Sequence, residues 1–156
     1  MPRTLDTVLA ELPVFTGLSA EQLALISGCA RNVGFAEGQH LFRQGGAADR
    51  FYVIRHGSVA LEAFDPARGP IMIETIEPGE VLGWSWLFAP YTWHFDGRAL
   101  TLVGALVFDG VCLRGKCEAD PELGYEIMSR FAQVVIERLQ WTRLRLLDVY
   151  GSGDAR

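Results

Sequence analysis

The chain has 156 residues, of which 49% are hydrophobic and 21% charged, and a net charge of −5. A chain of this size buries roughly 68–70% of the surface it exposes when unfolded, so one compact domain over residues 1–156 is expected and a disordered chain is excluded. No apolar run reaches the ~18 residues of a membrane span, Asp6 and Glu11 interrupt any secretory leader, and the acidic balance argues against a phosphate-backbone binder.

Residues 4–29 read as helical. Leu5, Val8, Leu9 and Leu12 recur at helical spacing until Pro13. Ser19 is then an N-cap, with Gln22 completing a capping box ahead of Leu23, Leu25 and Ile26.

Residues 30–109 change character. Short alternating runs at 41–43, 51–56, 58–64, 70–76 and 98–108 lie between closely spaced glycines. Period-two alternation with turns this close predicts a mainly β fold with flanking helices: a jelly-roll barrel.

Residues 110–150 return to helix. Asp120 caps, Pro121 suits the first helical position, and Glu122 complements the dipole. A helix from Pro121 to about Tyr150 would span about 45 Å. Its Leu123, Ile127, Phe131 and Val134 form a face able to cover the barrel. Met128, Ala132, Val135, Leu139, Thr142, Leu146 and Val149 alternate four and three apart. That heptad seam predicts a homodimer through the C-terminal helix, the other reading being one broad face buried within the monomer. Residues 151–156 read as a flexible tail.

The three cysteines, Cys29, Cys112 and Cys117, form an odd set with no Cys-x-x-Cys spacing. They are expected to be reduced thiols in a cytoplasmic protein, serving as small buried hydrophobes. No G-x-S-x-G elbow and no Walker loop is present. His40, His56 and His94 lack the spacing of a cupin metal centre, and a Ser85–His94 pair has no third group, so no enzymatic activity is expected.

Helix, Gly-punctuated roll and long helix together resemble a cyclic-nucleotide-binding domain of the bacterial catabolite-activator (Crp/Fnr) type. The resemblance covers about residues 8–150. It is carried by LPVFTGLSAEQL (12–23), by FAEGQHLFRQGGAADRFYVIRHGSVAL (35–61), by GEVLG (79–83) and by the long helix at 130–151. It implies a cytoplasmic regulatory domain in signal transduction. The activators carry a helix-turn-helix after the long helix. This sequence ends at Arg156, so no DNA contact of that kind is expected.

The resemblance also locates a ligand cassette, at Gly83, Trp84, Ser85, Trp86, Trp93, His94, Arg98 and Thr142. The family holds ribose with a Glu where Trp84 stands, and the cyclic phosphate with an Arg–small pair where Trp93 and His94 stand. An indole offers one N–H and no charge, so cyclic nucleotide is doubtful as a ligand and the cofactor is unknown. Arg98 could reach back to a phosphate, or pair with Asp96 or Glu80. Thr142 falls where the family reads the adenine edge, or is a seam residue. His94 is a metal or haem ligand, or a hydrogen-bonded structural residue. Residues 83–99 hold Trp84, Trp86, Phe88, Tyr91, Trp93 and Phe95. They form a retuned pocket for a flat small ligand, or fill the old pocket, or present an aromatic patch to a protein partner.

Overall fold

The computed structural model describes residues 4–154, with side chains to Asp148. It comprises α1 (Leu5–Glu11), α2 (Ala20–Ser27), β1 (Ala30–Phe35), β2 (His40–Phe42), β3 (Arg50–His56), β4 (Val59–Asp65), β5 (Gly69–Ile76), β6 (Val81–Leu82), β7 (Asp96–Ala99), β8 (Val103–Asp109), α3 (Gly110–Ala119) and α4 (Pro121–Asp154). The strands form two antiparallel sheets, ordered β1-β8-β3-β6 and β2-β7-β4-β5. This is the jelly roll with N-terminal helices and a long C-terminal helix that the sequence predicts.

Local chemistry sets the boundaries. The Ser19 hydroxyl accepts from the Gln22 N–H at 3.1 Å and the Gln22 side chain accepts from the Ser19 N–H at 3.0 Å, closing the capping box of α2. The predicted strand at 98–108 is two strands, β7 and β8. Between them Leu100 N–H bonds the Ser58 carbonyl and the Thr101 hydroxyl accepts from the Ser58 N–H, so the chain bends around the β3–β4 turn. Gly57 makes that approach feasible: a Cβ there would stand 2.2 Å from the Leu102 carbonyl oxygen.

Two apolar clusters hold the fold together. One fills the barrel between the sheets, around Ile54, Val59, Ile76 and Trp93. The other lies between the β1-β8-β3 face and the helices, around Phe15, Phe51, Trp86, Phe108 and Phe131. The Phe51 and Phe108 rings stack at 4.4 Å, and Phe131 meets Phe51 edge-on at 4.9 Å. Leu123, Ile127 and Phe131 are buried and Val134 packs beside them, as the predicted barrel-facing stripe requires.

Two expectations are corrected. Cys29 and Cys112 are not free thiols: they form a disulfide, Cα atoms 5.8 Å apart, across 83 residues of sequence. The antiparallel pairing of β1 with β8 brings the end of α2 beside the start of α3, a proximity that spacing along the chain does not reveal. Among the described residues Cys117 is the free cysteine. The helix also continues through Asp154, so residues 151–154 of the predicted tail are helical; 155 and 156 lie outside the described residues.

Candidate functional site

The cassette follows β6. Gly83 has φ +95°, a conformation glycine adopts at little cost, and a short 3-10 turn covers Ser85–Leu87. Of the three cassette tryptophans only Trp86 lies within this turn, and the three take different settings. Trp86 turns inward and is fully buried, stacked on Phe51 at 5.0 Å and edge-on to Phe131 at 5.3 Å. Its Nε1–H finds no acceptor among the described residues. Trp86 is therefore core, not cleft lining. Trp84 remains half-buried, and the Arg138 guanidinium lies 5.0 Å from its ring centroid.

Trp93 closes the pocket. It is 4% exposed, and its ring stacks on Phe42 with centroids 4.0 Å apart and planes 16° apart. A Cβ at Gly83 would meet its Cζ3 at 2.8 Å. Arg50 supports this stack from 5.9 Å, its own N–H groups engaged with the Tyr52 hydroxyl (2.7 Å), the Leu41 carbonyl (3.0 Å) and the Asp49 carboxylate (2.7 Å). Gly83, Trp84, Ser85, Trp93 and His94 do line one cleft, with Phe95 and Arg138, but only about 50 Å³ remains inside it. A water occupies ~30 Å³ of liquid, and small-molecule pockets run from ~300 to 1,000 Å³. With Trp93 in this position the cleft has no room for a cyclic nucleotide: an indole fills the volume, no carboxylate lines it to take a ribose, and the one guanidinium in its lining is that of Arg138.

Arg98 and Thr142 lie outside the cleft. Arg98 makes a bidentate bond with Glu62, Nε to Oε1 at 2.9 Å and Nη2 to Oε2 at 3.0 Å. Both expected partners, Asp96 and Glu80, are corrected by this: Ala60 pairs with Arg98 and Glu62 with Asp96 across β4 and β7, so Glu62 is the same-face diagonal neighbour of Arg98. The hydrogen bonds and charge of Glu62 raise the Arg98 pKa further. Thr142 is exposed and its hydroxyl donates to the Arg138 carbonyl at 2.9 Å, one helical turn back. His94 is exposed at the cleft mouth. No cluster of three His, Cys, Asp or Glu side chains able to hold a metal occurs among the described residues.

Sequence reasoning missed Arg138. It lines the cleft and also a neighbouring groove of about 470 Å³ between α4, the Pro13–Phe15 turn and the β5–β6 turn. Burial lowers its pKa, against the opposing pull of Glu74, Glu80 and Glu137. The only sequence signal was a helical offset of four from Thr142. The structure also draws α3 into the site: the Arg114 guanidinium donates to the Trp86 carbonyl and lies 4.2 Å from the Tyr91 ring centroid.

The cyclic nucleotide-binding domain family model matches residues 32–120, and the chain belongs to that family. It is 25% identical over 145 residues to a CRP-like cAMP-activated global transcriptional regulator of Mycobacterium tuberculosis, covering 93% of this chain and 63% of that protein. A cyclic nucleotide-binding protein from Geobacter metallireducens superposes with TM-score 0.79 at 26% identity, over 88% of this chain and 99% of that one. The N-terminal domain of a Streptomyces coelicolor transcriptional regulator superposes with TM-score 0.68 at 31% identity, covering 90% and 95% of the two chains. The chain is thus a regulatory domain of the cyclic-nucleotide-binding type, spanning 63% of the length of the curated relatives it matches. No helix among the described residues is long and apolar enough to cross a membrane.

Proposed function

We propose that this domain keeps the family fold but fills the nucleotide pocket with its own Trp93, and works as a cytoplasmic homodimeric interaction module. One observation carries this reading: Trp93, stacked on Phe42 and seated on Gly83, leaves about 50 Å³ where a ligand would lie. The second copy is the occupant that α4 fits. Leu139 and Leu146 of the heptad seam are 46% and 53% exposed, and every side chain from Leu139 to Asp148 faces solvent. Phe88, Tyr91 and Phe95 form the exposed rim of the cassette, available to a further protein. The reading assigns no catalytic step and no DNA contact to these residues.

The sensor reading, a flat small ligand taken by the cassette, draws support from Arg138. This cation stands over Trp84 between the cleft and the larger groove, where a ligand displacing Trp93 would meet it.

Thermal melts with cyclic AMP separate the two. A ligand at about 100 times its Kd adds about 2.7 kcal/mol, a rise of roughly 5–10 °C for a chain this size. The filled-pocket reading expects no rise with 1 mM cyclic AMP, a ligand concentration of our choosing equal to ~100 Kd for a ~10 μM binder. A rise of that size would restore the sensor reading.

A further inference from the structure

One cysteine of the disulfide, the buried Cys29, lines an open cleft. A cleft of about 440 Å³ is lined by Cys29, Arg31, Asp49, Arg50 and Asp109, among others. Asp49 is paired with Arg50, and Arg50 is further engaged by Tyr52 and Leu41. Asp109 caps α3, its carboxylate accepting from the Cys112 N–H at 3.0 Å. Arg31 is exposed and its side chain enters no hydrogen bond or ion pair among the described residues, so it is the uncommitted charge of the cleft. Cys29 therefore faces a cavity of small-molecule size that carries a free guanidinium.

The other half of the bond, Cys112, lies in the first turn of the ten-residue α3, beside the Asp109 carboxylate that caps it. Cys117 offers no competing nucleophile: burial, with Asp120 and Glu118, raises its pKa and keeps it a thiol at neutral pH.

We propose that the Cys29–Cys112 bond is a reversible thiol-exchange site, and that the cleft admits a small anionic thiol of the glutathione class. The carboxylates of the thiol pair with Arg31 and its thiolate attacks Cys29 Sγ. The Cys29–Cys112 bond breaks, a mixed disulfide forms at Cys29, and Cys112 leaves as thiolate. A second thiolate attacks the small-molecule sulfur of that mixed disulfide and releases Cys29. The two protein sulfurs take up the two protons that the small thiols lost. The protein disulfide is thus reduced by two electrons while two thiols are oxidised to one small disulfide; the reverse reaction closes the bond again. Cys29 is 6% exposed, so capture by Arg31 is what brings the attacking sulfur into line.

The bond staples the element that links the cassette to the long helix. α3 grips the cassette through Arg114 and holds α2 through Lys116, whose Nζ donates to the Leu25 carbonyl at 2.7 Å. It then passes through Asp120 into α4. Reduction releases α3 at its start, whatever occupies the nucleotide pocket or covers α4, so this inference stands apart from the proposed function.

The test treats the oxidised full chain with reduced glutathione, alkylates it and weighs its peptides. Two new alkylations are expected, at positions 29 and 112, and Cys112→Ser trapped with oxidised glutathione should carry the adduct at Cys29. Arg31→Glu should slow reduction by glutathione several-fold and leave reduction by neutral 2-mercaptoethanol unchanged, with Arg31→Lys restoring the rate. Arg31 is exposed, so these variants keep the fold, which a melt verifies. Equal effects on both thiols, no effect on either, or a bond that yields only after denaturant would overturn the proposal. So would three alkylatable cysteines in protein never exposed to reductant.

Discussion

The Trp93 indole lies flat on Phe42, 4.0 Å between centroids, over the bare face of Gly83. The missing Cβ is what admits the ring. Gly83→Ala should therefore strain the backbone at φ +95° and push Trp93 off its seat. The backbone strain alone is worth about 1–3 kcal/mol. Chemical denaturation should show at least that loss, together with a shift in tryptophan emission; unchanged stability and emission would mean that Trp93 packs elsewhere.

Trp93→Ala removes the plug instead. Truncating a buried Trp costs about 3–5 kcal/mol. The cavity left would be lined by Phe42, Leu61 and Leu82, apolar enough to take a flat guest. Added indole should raise the melting temperature of the variant and leave the parent unchanged.

The Glu62–Arg98 pair should respond unequally to its two deletions. The Glu62 side chain is 6% exposed and that of Arg98 33%. Arg98→Ala strands a buried carboxylate, at about 3 kcal/mol. Glu62→Ala leaves a guanidinium that can turn to water, and should cost less. Arg98→Lys should fail to restore full stability, because a lysine cannot supply the parallel two-donor geometry. Equal losses from both alanine variants would show that the pair is solvated.

Reducing the disulfide opens a loop of 83 residues. The chain-entropy relation puts the loss at about 4.5 kcal/mol. At ~2–4 °C per kcal/mol for a chain of this size, the melting point should fall by roughly 9–18 °C. Melts with and without reductant, both on alkylated protein, measure it.

The proposed dimer rests on the long helix. Leu139→Glu combined with Leu146→Glu changes two exposed side chains, so the fold should persist while sedimentation shifts from dimer to monomer. A parent already monomeric at micromolar concentration would end the dimer reading.

Periodicity made much of this fold legible. The stripe Leu123, Ile127, Phe131 and Val134, the Ser19–Gln22 box and the alternation of β4 and β5 all report local geometry, and local geometry is written in spacing. Partners across sheets are not. Glu62 for Arg98 and Cys112 for Cys29 depend on strand register and sheet order, which no short window contains. Trp86 was misplaced for a different reason: a 3-10 turn of three residues is too short to show a period, so nothing in the sequence separates its inward indole from that of Trp84. Arg138 was hidden by its setting, since an arginine among surface-facing helix positions reads as solvated until the cleft beneath it is seen.

Arg138 is also the last half-buried residue of α4 before its exposed run, and the helix continues from there to Asp154. At 1.5 Å per residue that stretch is about 24 Å long. A tilt of about 10° at the Arg138–Trp84 contact would carry its far end through about 4 Å, about three quarters of a helical pitch. Two such stretches lying side by side would convert a small reorientation of one indole into a change of register between protomers.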